Sequence, residues 1–214
     1  MYPSDLSDKQ WAKLEPLLCQ RTTGKHAGGR PRLYPLRRVV DAVLYVVKTG
    51  CQWRQLPKDS PPWKSVYEEF MRWRRTGLWA RISRALRKEL RQKLGRSAQP
   101  TVAIIDSQSV KRTLKGDGRG YDAGKKIKGR KRHIAVDTQG LLRAVGVHSA
   151  GIQDRVGAPV LLLQLAALCC TIRTIFADSA YTSTLVEWVR ALFDWTLTIV
   201  KRTEAHRFVV FPKC

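Results

Sequence analysis

The hydrophobic pattern of this chain changes period once, across Gly95-Arg-Ser-Ala-Gln-Pro100, and that change constrains the fold more than any composition figure. Upstream, apolar residues recur at helical spacing. Downstream, they come in short runs of strand length. The pattern predicts a helical domain over 1–98 and an α/β domain over 99–214, joined by this Gly/Pro linker.

In the first part, Ser7-Asp-Lys-Gln10 is a capping-box pattern opening a helix from Asp8 to about Cys19, with Trp11, Leu14 and Leu17-Leu18 on one face. Arg21 to Pro35 holds Gly24, Gly28-Gly29 and Pro31 and reads as a loop. A second helix is predicted from Leu36 to Lys48, stopping at Gly50. Ser65 is predicted to cap a third, with Val66, Phe70 and Trp73 at helical spacing up to Gly77. The fourth runs from Leu78 to Leu94 and stops at Gly95. The polar faces of the last two carry Arg72, Arg74, Arg75, Arg81, Arg84, Arg87, Lys88, Arg91 and Lys93. Two such helices across a short Gly-containing turn suit a helix-turn-helix that contacts DNA. The plainer alternative is a bundle with a solvated basic face.

In the second part, Thr101-Val-Ala-Ile-Ile105 leads into Asp106, and Ile172-Arg-Thr-Ile-Phe-Ala177 leads into Asp178. Ser107 to Gly129 is rich in Gly and Lys and reads as a loop. Arg132–Val136 and Leu141–His148 flank Asp137-Thr-Gln-Gly140, a hairpin signal. Helices are predicted over Asp154–Leu168 and Ser183–Phe193, and a last strand over Trp195–Val200. The order β-β-β-α-β-α-β implies a mixed sheet.

Charge narrows the function. Forty Lys+Arg against seventeen Asp+Glu give a net charge of +23. Such an excess favours a nucleic-acid partner, and binding that weakens with salt. Lys125, Lys126, Lys128, Arg130, Lys131 and Arg132 form the densest run and are candidate phosphate contacts, with Lys111 as a further one. A lone Asp at a strand end is usually a turn residue. Two of them, ending two strands of a polyanion-binding chain, point to metal-assisted chemistry on a phosphate backbone. Asp137 reads as a hairpin residue, Asp122 as a loop residue and Asp154 as a helix cap. His133 either approaches the site or makes a structural hydrogen bond. The five cysteines form no CxxC pair, which suits reduced thiols in a cytosolic protein, and the four scattered His give no zinc spacing. Met1-Tyr-Pro-Ser-Asp5 has no signal-peptide pattern, and Val156–Cys170 is too short for a membrane span.

These residues carry a resemblance. Gly120-Tyr-Asp-Ala-Gly-Lys-Lys-Ile-Lys-Gly-Arg-Lys-Arg-His-Ile-Ala-Val-Asp-Thr-Gln-Gly140 resembles the central segment of bacterial insertion-sequence transposases of the DDE class, in the group named after insertion element five. Ile105-Asp-Ser-Gln-Ser-Val-Lys111 resembles the first catalytic block of that family, and Phe176-Ala-Asp-Ser-Ala-Tyr181 the second. Gly50-Cys-Gln-Trp-Arg-Gln-Leu-Pro57 and the Trp11–Leu14 region resemble the helical domain that precedes its catalytic core. The resemblance covers essentially the whole chain.

It implies an RNase H-like mixed-sheet domain in which Asp106 and Asp178 are catalytic acids that share Mg²⁺ or Mn²⁺. It implies double-stranded DNA as partner, both element ends and target, a homodimer as a further possibility, and a bacterial cytoplasmic, nucleoid-associated location. The family's third acid is a glutamate on a helix after the fifth strand, in a Tyr/Arg/Glu/Lys-spaced motif. Here Glu187 and Glu204 lie outside such a motif, and the sequence stops at Phe211-Pro-Lys-Cys214. The expectation is therefore an incomplete RNase H-like domain without its C-terminal helix. Metal-dependent cleavage and strand transfer are then expected to be impaired in this chain alone. A non-enzymatic DNA-binding regulator of transposition is the alternative.

Overall fold

The computed structural model describes residues 2–19, 33–111, 118, 120–181 and 184–200. Packing divides the chain into Met1–Arg87 and Lys88–Cys214, inside the fourth helix. Each unit has its own apolar core.

The first unit is helical. Helix α1 spans Asp8–Leu18 and opens with the expected capping box, in which Ser7 and Gln10 satisfy each other's backbone N–H groups. Helix α2 spans Leu36–Thr49 and stops at Gly50, whose φ of 68° is the left-handed value glycine takes at no steric cost. Helix α3 spans Trp63–Arg75 and helix α4 spans Leu78–Lys93. Pro62, not Ser65, precedes α3, so Ser65 falls in its first turn. The proline holds the extended backbone that a helix start requires, which moves the start upstream of the serine. Val40, Val43, Val66, Trp73, Leu78 and Ile82 form this unit's core. The expected loop at Arg21–Pro35 lies mostly outside the described residues.

The second unit is a sheet with helices. Its elements are β1 Val102–Lys111, β2 Gly120–Asp122, β3 Ile127–Asp137, β4 Leu142–Ser149, α5 Asp154–Leu168, β5 Thr174–Ala177, α6 Thr184–Phe193 and β6 Thr196–Ile199. The strand order is β4-β3-β1-β5-β6, with β2 on the same edge of β3 as β4. Strands β1, β5 and β6 are parallel, and β3 is antiparallel to both β1 and β4. Ser107–Gly129 is not one loop, because β1 continues to Lys111 and β3 begins at Ile127. The strand was disguised by its inward residues, Ser107 and Ser109, which are buried yet polar. The β3–β4 hairpin turns at Gly140 with φ 73°, and Asp137 Oδ1 accepts from the N–H groups of Gln139 and Leu141.

One sheet face is closed by α5 and α6. Ala103, Ile105, Ala135, Ala144, Ile175 and Leu197 meet Leu161, Leu162, Leu165 and Val189 in a single core. The alanines let α5 approach closely. At Gly157 even a methyl group would lie 2.1 Å from His148 Nε2.

Arg91 from the last turn of α4 is buried in this unit. Its Nη1 donates to Asp137 Oδ2 at 2.9 Å, and its Nε donates to the Ser97 carbonyl at 2.7 Å. Asp137 is 0 % exposed, and among the described residues Arg91 is its ion-pair partner, with the Gln139 and Leu141 N–H groups on its other oxygen. Arg91→Ala is expected to cost about 3–5 kcal/mol in urea unfolding, because it leaves a buried carboxylate uncompensated. A loss below about 1 kcal/mol would show that water replaces the guanidinium.

Candidate active site and nucleic-acid interface

The pairing of β1 with β5 sets Val102 beside Thr174, Ala103 beside Ile175 and Ile104 beside Phe176. Asp106 and Asp178 each follow the last of these pairs by two residues, so a continued register would bring them side by side. Neighbouring strands are about 4.8 Å apart, and residues two apart share a face. Both aspartates therefore leave the sheet on the face opposite α5, while Ile105 and Ala177 point into the core. Both carboxylates are exposed. Asp106 Oδ1 accepts from the Ser107 N–H at 2.7 Å, and Asp178 Oδ1 accepts from the Ala180 N–H at 3.0 Å. Each acid is thus fixed through one oxygen by its own backbone.

Asp106 is not at a strand end. It sits inside β1, where pairing with β5 stops while pairing with β3 continues through Asp106↔Ile134 to Lys111↔Gly129. Asp178 does end its strand and opens a short 3₁₀ turn, Ser179–Tyr181.

The basic run of β3 is sorted by its period of two. Lys128, Arg130 and Arg132 are exposed and share the face of Asp106, whereas Lys131 is 4 % exposed. Arg132 lies across from Gln108 and donates to its side chain. The open face thus has acids at one end and a row of cations extending from them. Lys125 and Lys126 are exposed in the turn before β3. The Lys125 ammonium donates to the Ser107 carbonyl at 2.9 Å, next to Asp106. In the first unit, Arg74 and Arg75 are exposed at the end of α3, and Arg72 pairs with Glu69.

Two expectations are corrected. Lys131 is no phosphate contact: its ammonium pairs with Asp154 Oδ1 at 2.9 Å and Asp122 Oδ2 at 3.4 Å inside the protein. Lys111, expected as a further phosphate contact, is exposed at the end of β1. It is five positions after Asp106, which puts it on the other face and about 16 Å along the strand. Asp154 is the first residue of α5 rather than its cap, which is Gln153.

Beneath the acids lies a buried polar network that the sequence reading did not assemble. Tyr181 is 0 % exposed and its hydroxyl meets His133 Nδ1 at 2.9 Å. Ser107, the cross-strand partner of His133, lies near the same phenol. Burial, then the nearby Asp154 carboxylate, pushes the phenol well above its usual range, with Asp106 and Asp178 adding to the effect. His133 stacks on His148 at 4.7 Å, and its Nε2 is 3.7 Å from Asp154 Oδ1. The Ser109 hydroxyl donates to Asp122, which also accepts from the Lys125 N–H at 3.0 Å. The signal for this network was present in the inward positions of β1 and β3, where Ser107, Ser109, Lys131 and His133 stand in place of apolar residues.

The network makes the fold acid-sensitive. Burial, then the neighbouring His148 ring, pulls His133 down to about 4. Its unfolded value is about 6.5, so below that pH the unfolded chain binds a proton that the native state refuses. Stability contributed by neutral His133 is complete above pH 6.5 and falls by about 3 kcal/mol by pH 4. Asp122, held down to about 2 by the Ser109 hydroxyl, adds a second loss at lower pH still. Thermal unfolding between pH 7 and 4 measures this. A melting temperature independent of pH across that window, or independent of His133→Phe, would refute it.

The strand order, with three parallel strands beside an antiparallel pair and helices on the core face, defines an RNase H-like sheet domain behind a helical unit. Residues 6–83 match a family model for transposases of the IS4/5 family, and residues 97–207 match the transposase DDE domain. Over 110 residues the chain is 27% identical to the insertion element IS402 uncharacterized 16.2 kDa protein of Burkholderia cepacia, covering 50% of this chain and 72% of that one. Among solved structures, the piggyBac transposase synaptic complex with hairpin DNA is 21% identical, with a TM-score of 0.33 over 51% of this chain and 24% of that one. The Mos1 strand transfer complex is 10% identical, with a TM-score of 0.32 over 88% of this chain and 64% of that one. The chain belongs to the DDE transposase family, in the IS4/5 group of insertion-sequence transposases. Among the described residues, no helix is long and apolar enough to cross a membrane.

Proposed function

We propose that the sheet domain, 99–214, is built for divalent-metal-dependent cleavage and strand transfer at the ends of an insertion element, that this activity is impaired in this chain alone, and that the helical domain, 1–98, helps hold the DNA. The observation that supports this reading is the parallel pairing of β1 with β5 through Ile104↔Phe176, two residues before each exposed aspartate, in a chain of net charge +23. Two carboxylates on adjacent strands fit Mg²⁺ or Mn²⁺, which take oxygen ligands and keep several waters. Among the described residues no third His, Cys, Asp or Glu completes a protein-only cage. Asp106 and Asp178 would hold the cation, which would lower the pKa of a bound water and offset charge on the scissile phosphate.

The remaining work belongs to the chain. The N–H groups of Ser107 and Ala180 hold one oxygen of each acid. Lys128, Arg130 and Arg132 bind the phosphate backbone leading away from the acids, and Lys125 and Lys126 extend that contact. Arg72, Arg74 and Arg75 contact DNA from the helical unit. An element has two ends, so two copies acting together, on DNA in the bacterial nucleoid, belong to the same proposal.

The test is cleavage of DNA carrying the element's own ends. Cutting is expected in Mg²⁺ or Mn²⁺ and is expected to stop in EDTA. Cutting that persists in EDTA would overturn the metal-dependent reading.

A further inference from the structure

The acids at the open face are separated from the core by a single buried phenol, and the contacts of that phenol are unusual. Tyr181 closes the 3₁₀ turn that Asp178 opens, with its N–H donating to the Asp178 carbonyl at 3.2 Å. Its side chain passes under the sheet and is 0 % exposed. The hydroxyl then meets two other strands. It lies near Ser107, the residue after Asp106 on β1, and it is 2.9 Å from His133 Nδ1 on β3. Ser107 and His133 are themselves cross-strand partners.

The chain has no need of this bond for burial alone. Phenylalanine would fill the same volume without placing a hydroxyl among Leu161, Leu165 and Val189, the apolar side of the same core. Buried polar groups cost free energy unless they are paired, and paired ones fix a unique geometry. Here the geometry they fix is the position of the Asp178 turn relative to β1. The strand ladder cannot fix it, because β5 ends at Ala177, one residue before the acid.

We infer that Tyr181 is a positioning residue for the acid pair, tying the turn of Asp178 to Ser107 beneath Asp106 and to His133 on β3. This rests on the reading that Asp106 and Asp178 share a divalent cation. It extends that reading to a residue that touches neither cation nor DNA. Outer residues that orient metal ligands commonly matter for affinity by about 10- to 100-fold. The tie acts through backbone placement, so the lower end of that range is expected.

The experiment reads cation binding rather than turnover. Mn²⁺ alone is titrated into the protein, and free Mn²⁺ is followed by electron paramagnetic resonance. The native chain is expected to bind, and Asp106→Asn and Asp178→Asn each to abolish the site. Tyr181→Phe is expected to weaken Mn²⁺ binding by about tenfold, and Ser107→Ala, which cuts the same tie from the other side, by a similar factor. The double variant is expected to be little worse than either single one, since both break one link. Val189→Ala serves as the control. It lowers stability from within the same core but is expected to leave Mn²⁺ affinity unchanged.

The outcomes separate two failures. If the native chain binds no Mn²⁺, or Asp106→Asn leaves binding intact, the metal reading itself falls. If the native chain binds and Tyr181→Phe binds equally well, the positioning inference falls alone. It also falls if Val189→Ala weakens binding as much as Tyr181→Phe, since general loosening would then explain both. Should Tyr181→Phe not fold, Ser107→Ala decides between the same outcomes.

Discussion

Asp106→Ala and Asp178→Ala are each expected to reduce end cleavage by at least about a thousandfold, while leaving DNA affinity within about threefold. The size follows from the role proposed for the acids. Charge stabilisation at a bound metal supplies several kcal/mol to the transition state, and each ~1.4 kcal/mol is tenfold in rate. The selectivity follows from where they are. Both side chains are exposed on the face opposite the core, so neither substitution opens a cavity. Both are anions beside a cationic row, so removing either one does not weaken the attraction for phosphate. Cleavage and filter binding on the same end DNA measure the two arms. Native-like cleavage by either variant would show that the pair is not catalytic. A parallel collapse of DNA binding would show that the acids hold the fold rather than the metal.

The second large effect is ionic. With phosphate contacts dominating, log K for duplex DNA is expected to fall steeply and linearly with log salt, by about 0.9 per contact. Changing Lys128, Arg130 and Arg132 together to Gln is expected to make the slope shallower by about 2 to 3. These three are exposed on one face of β3. Lys131→Gln is the informative partner. It removes the same charge from the same run, yet its ammonium lies between Asp122 and Asp154 in the interior. It is expected to leave the slope unchanged and to lower stability instead, by about 3–5 kcal/mol as for a broken buried pair. A slope that responds to Lys131→Gln but not to the triple variant would mean that this sheet face does not meet DNA.

The contrast between Lys131 and its neighbours marks where sequence reading was sufficient and where it was not. The helical elements were legible because their apolar residues repeat at the helical period and their ends carry recognisable caps, as at Ser7 and Gly50. The α5 and α6 helices were legible from their apolar runs, and the β3–β4 hairpin from its Asp137-Thr-Gln-Gly140 turn. The second half of β1 was not. Its buried positions are Ser107 and Ser109, and a polar residue facing inward cancels the alternation that identifies a strand. The same cancellation hid the network of Tyr181, His133, Lys131, Asp122 and Asp154. Its members come from β1, β2, β3, the start of α5 and the turn after β5. No spacing along the chain brings those together; only the sheet register does. The basic run of β3 was legible as charge but not as surface. Counting its cations along the sequence treats it as one patch, whereas the strand period sends Lys131 inward.

The strand that carries Asp106 runs on beyond it, and this makes the two acids unequal in their freedom to adjust. Asp106 is held on both sides by the ladder to β3, from Ala103↔Asp137 through Lys111↔Gly129. Its backbone cannot shift without breaking that ladder. Asp178 has ladder on one side only and turn on the other. In the proposed site Asp106 is therefore the fixed reference, and Asp178, with no ladder beyond it, depends on the Tyr181 contacts to hold its turn in place.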